Sequence, residues 1–205
     1  MEKLEKTAAA LRRRGFDAAI FENAKEAADY LLSDMPAGET VGFGGCMTAK
    51  QMGLETLLRA NGHKVLWHWE MPKPERPALL REAMNAPLYV CSANAVTEDG
   101  LMVQIDGTGN RVASMLYGHE ALYIVAGVNK LAPDLASAMD RARSIAAPLN
   151  ARRLQRKTPC ALAEPMRCHD CNSPERICRG FVTLARPMGG IGQTHVILVE
   201  ESLGY

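Results

Sequence analysis

Four cysteines fall within nineteen residues: Cys160, Cys168, Cys171 and Cys178, spaced C-x7-C-x2-C-x6-C. The other two of the chain's six cysteines, Cys46 and Cys91, lie far from them. Six cysteines in 205 residues are too sparse for a disulfide scaffold, and clustered thiols in a reducing compartment are more often metal ligands. The Cys168-x-x-Cys171 pair brings two sulfurs to one metal from a tight turn, and Thr158-Pro159 and Ser173-Pro174 stiffen the flanks. Arg167, Arg176 and Arg179 are placed to offset thiolate charge. A structural zinc site of the ribbon type has two Cys-x-x-Cys knuckles, and here there is one. A [4Fe-4S] cluster takes thiolates only and tolerates looser spacing. The pattern therefore predicts an iron–sulfur cluster, with Zn2+ as the alternative. A Cys168–Cys171 dithiol without metal is the plainest reading of the same residues.

A second candidate is Val41-Gly-Phe-Gly44-Gly45-Cys-Met-Thr48, which joins a strand to a helix. Successive backbone N–H groups in such a turn can form an anion-binding nest, so Gly44, Gly45 and Thr48 are candidates for holding a small carboxylate or phosphate. The segment is neither a P-loop nor a dinucleotide fingerprint. Its bland reading is a turn that needs small residues for packing, with Cys46 a core thiol.

A third group gathers at strand ends. Ser92-Ala-Asn94-Ala-Val-Thr-Glu98-Asp-Gly100 and Ile105-Asp106-Gly-Thr-Gly-Asn110-Arg111 each follow an expected strand, and Gly127-Val-Asn129-Lys130 ends another. In open α/β sheets the binding crevice lies at the carboxyl ends of the strands. Asn94, Asp106, Asn110, Arg111, Asn129 and Lys130 are thus expected to bind substrate, and Glu98 is the candidate base or carboxylate nucleophile. Against this, Asp, Asn and Gly are what turns are made of. The histidines His63, His68, His119 and His195 show no paired spacing and read as structural or surface residues.

The elements that must position these groups alternate. Helices are expected from the N-terminus to Gly15, with Leu4 and Leu11 on one face, from the Asn23 cap to Met35, over 48–60, over 76–85, and from Asp134 to Ile145 with Pro148 closing it. Strands are expected over 40–43, 64–69, 88–91, 101–105, 121–126 and 196–199. Ala121–Ala126 is a continuous apolar run, as in a strand buried on both faces. The alternation predicts an α/β fold with a Rossmann-like, mostly parallel sheet and helices on both sides. Residues 151–192 break the pattern, with little periodicity, Pro159, Pro165, Pro174 and the four clustered cysteines.

Composition narrows the partners. Lys+Arg is 24 and Asp+Glu 23, a formal charge of +1, which offers no overall electrostatic footprint for nucleic acid or an anionic membrane. Aromatics make up 5%, too few for a base-stacking surface to lead. No apolar run reaches membrane-spanning length and the N-terminal segment has no secretory apolar core, so the expected compartment is the cytoplasm.

The motifs Ala95-Val-Thr-Glu-Asp-Gly100, Ile105-Asp-Gly-Thr-Gly-Asn-Arg-Val-Ala113, Val125-Ala-Gly-Val-Asn-Lys130, Ala147-Pro148 with Asn150, and Thr158-Pro-Cys160 followed by Cys168-x-Asp-Cys-x-Ser-Pro-x-Arg-Ile-Cys178 occur in this order. With the closing Val196-Ile-Leu-Val-x-Glu-x-Leu-Gly204, the sequence resembles the lactate-utilisation (LUD) domain family along essentially its whole length. The resemblance implies one domain over 1–205, with 158–180 a cysteine-rich loop within it, and a fold like that of the ribose-5-phosphate isomerase and CoA-transferase superfamily. It also implies a place among other redox subunits of an iron–sulfur system that oxidises L-lactate to pyruvate. Thr97-Glu98-Asp99-Gly100 is similar to the Ser-Glu-Asn-Gly turn carrying the glutamate nucleophile of some CoA transferases, enzymes that need two such domains, which a homodimer would supply. A CoA-transferase-like or sugar-phosphate enzyme with a structural zinc, and a non-catalytic metal- or redox-sensing module, are the competing functions.

Overall fold

The computed structural model describes residues 1–205. Six strands, β1 (Asp17–Phe21), β2 (Thr40–Phe43), β3 (Lys64–Leu66), β4 (Leu88–Cys91), β7 (Ala121–Gly127) and β10 (Gln193–Val199), form one sheet in the order β1-β10-β7-β4-β2-β3. Every neighbouring pair in it is parallel. β7 runs through the centre, with Ala121 in register with both Leu88 and Gln193. Its apolar run is buried on both faces because alternate residues feed opposite cores. Leu122, Ile124 and Ala126 point to one, while Tyr123 and Val125 point to the other.

Helices cover both faces. α1 (Glu2–Arg13) buries Leu4 and Leu11 against the first core. α5 (Arg76–Ala83) and α6 (Asn110–Leu116) add Ala83 and Met115 to it. α2 (Ala24–Asp34) starts at Asn23, whose side chain accepts from the Glu26 N–H at 2.9 Å while Glu26 reaches back to the Glu22 N–H, and buries Ala27 and Leu31 on the other face. The helix expected over 48–60 is two helices, α3 (Met47–Gln51) and α4 (Leu54–Ala60). Gly53, in the left-handed region at φ 63°, turns the chain between them. The strand expected over 64–69 stops at Leu66 and passes into a 3₁₀ turn, His68–Glu70.

Two further features were not expected from sequence. β6 (Met102–Asp106) pairs antiparallel with β5 (Ala95–Thr97) and with β9 (Gly180–Leu184), and β8 (Leu131–Ala132) joins β5, making a second, four-stranded sheet. Residues 151–192 are therefore not wholly irregular, since they include α9 (Pro159–Leu162) and β9. Nor does Pro148 close a helix. α7 (Leu135–Arg141) passes through a π turn, Ala142–Ala146, into α8 (Ala147–Arg153), where Pro148 is the second residue. The wide turn accommodates the missing proline N–H and its ring, which a regular helix interior does not tolerate.

The tail after β10 crosses the end of β7 at Gly127. A Cβ there would lie 2.5 Å from the Glu201 carbonyl oxygen and 2.6 Å from the Leu203 nitrogen, both backbone atoms that cannot rotate aside. Gly127→Ala is expected to lower unfolding free energy by about 1–3 kcal/mol, read from urea denaturation. Unchanged stability would mean that the tail is free to move.

Candidate anion site and cysteine cavity

The carboxyl ends of β2, β3, β4, β7 and β10 open onto one cavity of about 810 Å3. Gly45 and Cys46 follow β2, His68 and Trp69 follow β3, Ser92 follows β4, Lys130 follows β7 and Tyr205 follows β10. Asp106 enters from the end of β6, Asn110 and Arg111 from the start of α6, and Asn150 and Arg153 from α8. This is where the topology of an open parallel sheet places ligands.

Lys130 forms the floor and is 3% exposed. Its amine donates to Ser92 Oγ at 2.6 Å and to Thr48 Oγ1 at 2.9 Å. Burial pushes it down to about 8, with Arg141 and Arg111 acting the same way against the Cys46 thiol. No carboxylate lies within ion-pair distance of it. The nearby Arg111 donates to the Ile105 carbonyl at 2.6 Å and stands 3.6 Å from Asp106. Asp106 itself accepts from the N–H groups of Thr108, Gly109 and Val112, fixing the turn that carries Arg111. Above the floor, Trp69 stacks on Trp67 at 5.1 Å, and the Arg153 guanidinium lies 4.3 Å from the ring centre. His68 is pushed down to about 4, first by burial and then by Arg76 and Arg153.

The cavity is strongly cationic. Eight lining residues are Lys or Arg, against two carboxylates, Asp106 and Glu175. Four polar atoms on its lining residues are buried without a hydrogen-bond partner: His68 Nδ1, Asn110 Nδ2, Arg111 Nε and the Tyr205 phenol oxygen. Such atoms are costly unless something completes them.

Of the residues singled out from sequence, Gly45, Asn94, Asp106, Asn110, Arg111 and Lys130 line this cavity. Gly44 and Thr48 sit one layer behind it. A Cβ on Gly44 would press on the Arg111 side chain at 3.1 Å, and Thr48 supports Lys130. Asn129 instead ties down the C-terminal tail, accepting from the Leu203 N–H at 3.0 Å and donating to the Gly204 carbonyl at 3.3 Å. Glu98 corrects an expectation. It lies at the far end of β5 from Asn94, outside the cavity, and binds Lys6 at 2.6 Å, which holds its carboxyl below the usual range. Cys46 is a buried thiol that caps α3, accepting from the Ala49 N–H, and burial raises it. Sequence reasoning did not pick out Ser92, Arg76, Arg153 or Tyr205 for the site. An arginine or serine in isolation carries no signal of a site; only the converging strand ends reveal them.

All four clustered cysteines line a second, smaller cavity of about 20 Å3, with Arg143, Thr158 and Arg176 beside them. Thr158 and Cys160 contact at 3.3 Å, and the Asp170 N–H points to the Cys168 sulfur at 3.4 Å. Burial, reinforced by the other three thiols and opposed by Arg176, pushes Cys178 up to about 11. Arg176 pins the loop, donating to the Cys171 and Cys178 carbonyls at 2.6 and 2.8 Å and to Asp170 at 3.0 Å. The donors suit a thiolate-bound cluster in kind, but the space of about 20 Å3 that they enclose has room for little more than one water. No three His, Cys, Asp or Glu groups converge closely enough to grip a single ion, so the ring has to rearrange to close on a metal. Arg176 and Ile177 line both cavities and form the wall between them.

A six-stranded parallel sheet flanked by helices, with its strand ends opening on a cationic pocket, defines the class as a Rossmann-like α/β protein. Residues 4–199 match the LUD domain, and the chain belongs to the LUD domain family, which is linked to lactate-utilisation proteins. The fold is similar to the crystal structure of a DUF162 family protein from Deinococcus radiodurans, with a TM-score of 0.57 and 12% identity over 97% of this chain and 96% of that one. No curated protein matches the chain. No helix is long and apolar enough to cross a membrane.

Proposed function

We propose that this chain is the substrate-binding, iron–sulfur-bearing subunit of a small-carboxylate oxidation system of the L-lactate to pyruvate type. The observation that carries the reading is the shared wall: Arg176 and Ile177 separate a cationic pocket from a pocket ringed by four thiols. Lys130, held by Ser92 and Thr48, takes the substrate carboxylate in place of the missing counter-charge. Arg111, with one buried N–H unpartnered, supplies a second donor. Cys160, Cys168, Cys171 and Cys178 would hold a cluster, which would supply one-electron transfer. Oxidation of a 2-hydroxy acid to a 2-oxo acid releases two electrons and two protons. The sequence carries no flavin or nicotinamide motif, so a partner redox subunit accepts them.

Anaerobic purification followed by iron, sulfide and zinc analysis with a visible spectrum tests this. Iron and sulfide at about four each, with a broad band near roughly 400 nm, are expected. A colourless protein with about one zinc would make the loop structural and end the redox reading.

A further inference from the structure

The same cavity holds far more positive charge than a monocarboxylate needs. Six of its cations, Lys50, Arg76, Lys130, Arg153, Arg156 and Arg179, have no carboxylate within ion-pair distance. Over the whole chain 24 Lys and Arg are nearly balanced by 23 Asp and Glu, whereas the cavity lining carries eight cations against two carboxylates. Lys50, Arg153, Arg156 and Arg179 are exposed around its mouth, and like charges gathered about one concavity draw anions into it. Size points the same way. About 810 Å3 lies within the roughly 300–1,000 Å3 that encloses drug-sized ligands, many times the volume of a three-carbon acid. The cations form two tiers. Lys130 and Arg111 lie at the floor; Arg76 and Arg153 both act on His68, Arg153 lies over Trp69, and Arg156, three residues after Arg153, lines the same cavity. Arg153 lies over the Trp69 ring and is braced by Asn150 Oδ1 at 2.8 and 3.1 Å, contacts that position the guanidinium before any ligand arrives. A planar fork of N–H donors suits phosphate oxygens.

We propose that the wall formed by Arg76, Arg153 and Arg156 is a second subsite, which binds a ligand carrying two or more linked phosphates. The inference rests on the cavity described above but goes beyond the carboxylate reading. The floor takes one negative charge, and the wall takes a polyphosphate group that lactate lacks.

Calorimetric titration of the full chain with tripolyphosphate, inorganic phosphate and L-lactate, at about 50 and about 150 mM salt, tests it. Tripolyphosphate is expected to bind at least tenfold more tightly than inorganic phosphate at both salts. Arg153→Ala and Arg156→Ala should each weaken it about tenfold or more, while Arg13→Ala, on α1 and outside the cavity, leaves it unchanged. Arg156 makes no side-chain hydrogen bond or ion pair, so its loss spares the fold even if that of Arg153 does not. Equal affinity for tripolyphosphate and inorganic phosphate overturns the subsite. So does equal weakening by Arg13→Ala, which would mark unspecific attraction to surface charge. Iron content and L-lactate affinity are read on the same preparations. Loss of tripolyphosphate selectivity with both intact removes this subsite alone. Selective tripolyphosphate binding without iron or lactate binding removes the redox reading alone.

Discussion

Lys130→Met is expected to stabilise the folded chain at pH 7 while abolishing its hold on small anions. The amine is buried with two hydroxyls and no carboxylate. Folding lowers it from 10.5 to about 8, so keeping it charged inside the protein costs on the order of 3 kcal/mol. The sign follows from proton counting. Between about pH 8 and 10.5 the unfolded chain binds more protons than the folded one, so stability rises with pH across that window, and below it the penalty is fully present. Methionine fills a similar volume and carries no charge. Ser92 and Thr48, whose hydroxyl oxygens lie 3.3 Å apart, can then bond to each other. The melting temperature should rise by several degrees at pH 7, with the gain shrinking above pH 8. L-lactate and phosphate affinity should fall about 100-fold, as when one partner of a buried charge interaction is removed. A lower melting temperature with unchanged affinity would show that Lys130 is structural.

Cys168→Ala or Cys171→Ala should each reduce bound iron to a small fraction of the native content and loosen residues 158–180, leaving the parallel sheet folded. These two thiols lie three residues apart and line the same cavity as Cys160 and Cys178. Side-chain contacts rather than strands or a long helix order the loop: Arg176 ties Asp170, Cys171 and Cys178 together, Arg143 pairs with Asp170, and Arg152 holds the Ala161 and Ala163 carbonyls. Cys91→Ala is the matching control, a buried thiol in β4 that lines neither cavity. Metal content and limited proteolysis report both effects, and native iron in both variants would sink the four-thiolate site. Metal uptake should also weaken as pH falls. Burial raises the Cys178 thiol, so metal binding must displace its proton.

Much of the framework was legible before any coordinates. Asn23 with Glu26, Leu88–Cys91 and the apolar run from Ala121 each carry a local signal, a cap or a doubly buried strand, that needs no distant partner. The second sheet was not legible, because β6 finds β9 more than seventy residues later, in a segment whose prolines and cysteines hide its strand. The site divided the same way. Arg111 and Lys130 stand beside glycine turns at strand ends and so announced themselves. Arg153 and Arg76 lie on helices, where arginine is ordinary, and only the crossing of chains converts them into a wall. Glu98 misled because a short motif fixes neither which end of a strand faces the crevice nor which lysine is nearby.

The π turn before Pro148 has a geometric consequence. An α-helix advances about 100° per residue, so the extra residue in Ala142–Ala146 sets the azimuth of everything that follows it. It is a built-in angular offset, which swings Asn150 and Arg153 onto the mouth of the pocket while α7 keeps Ala138 packed beneath the second sheet. Deleting one residue from that turn would point the arginine elsewhere and set Pro148 inside a regular coil that cannot accommodate it. The aim of this helix is therefore set by how many residues the chain spends in a single widened coil.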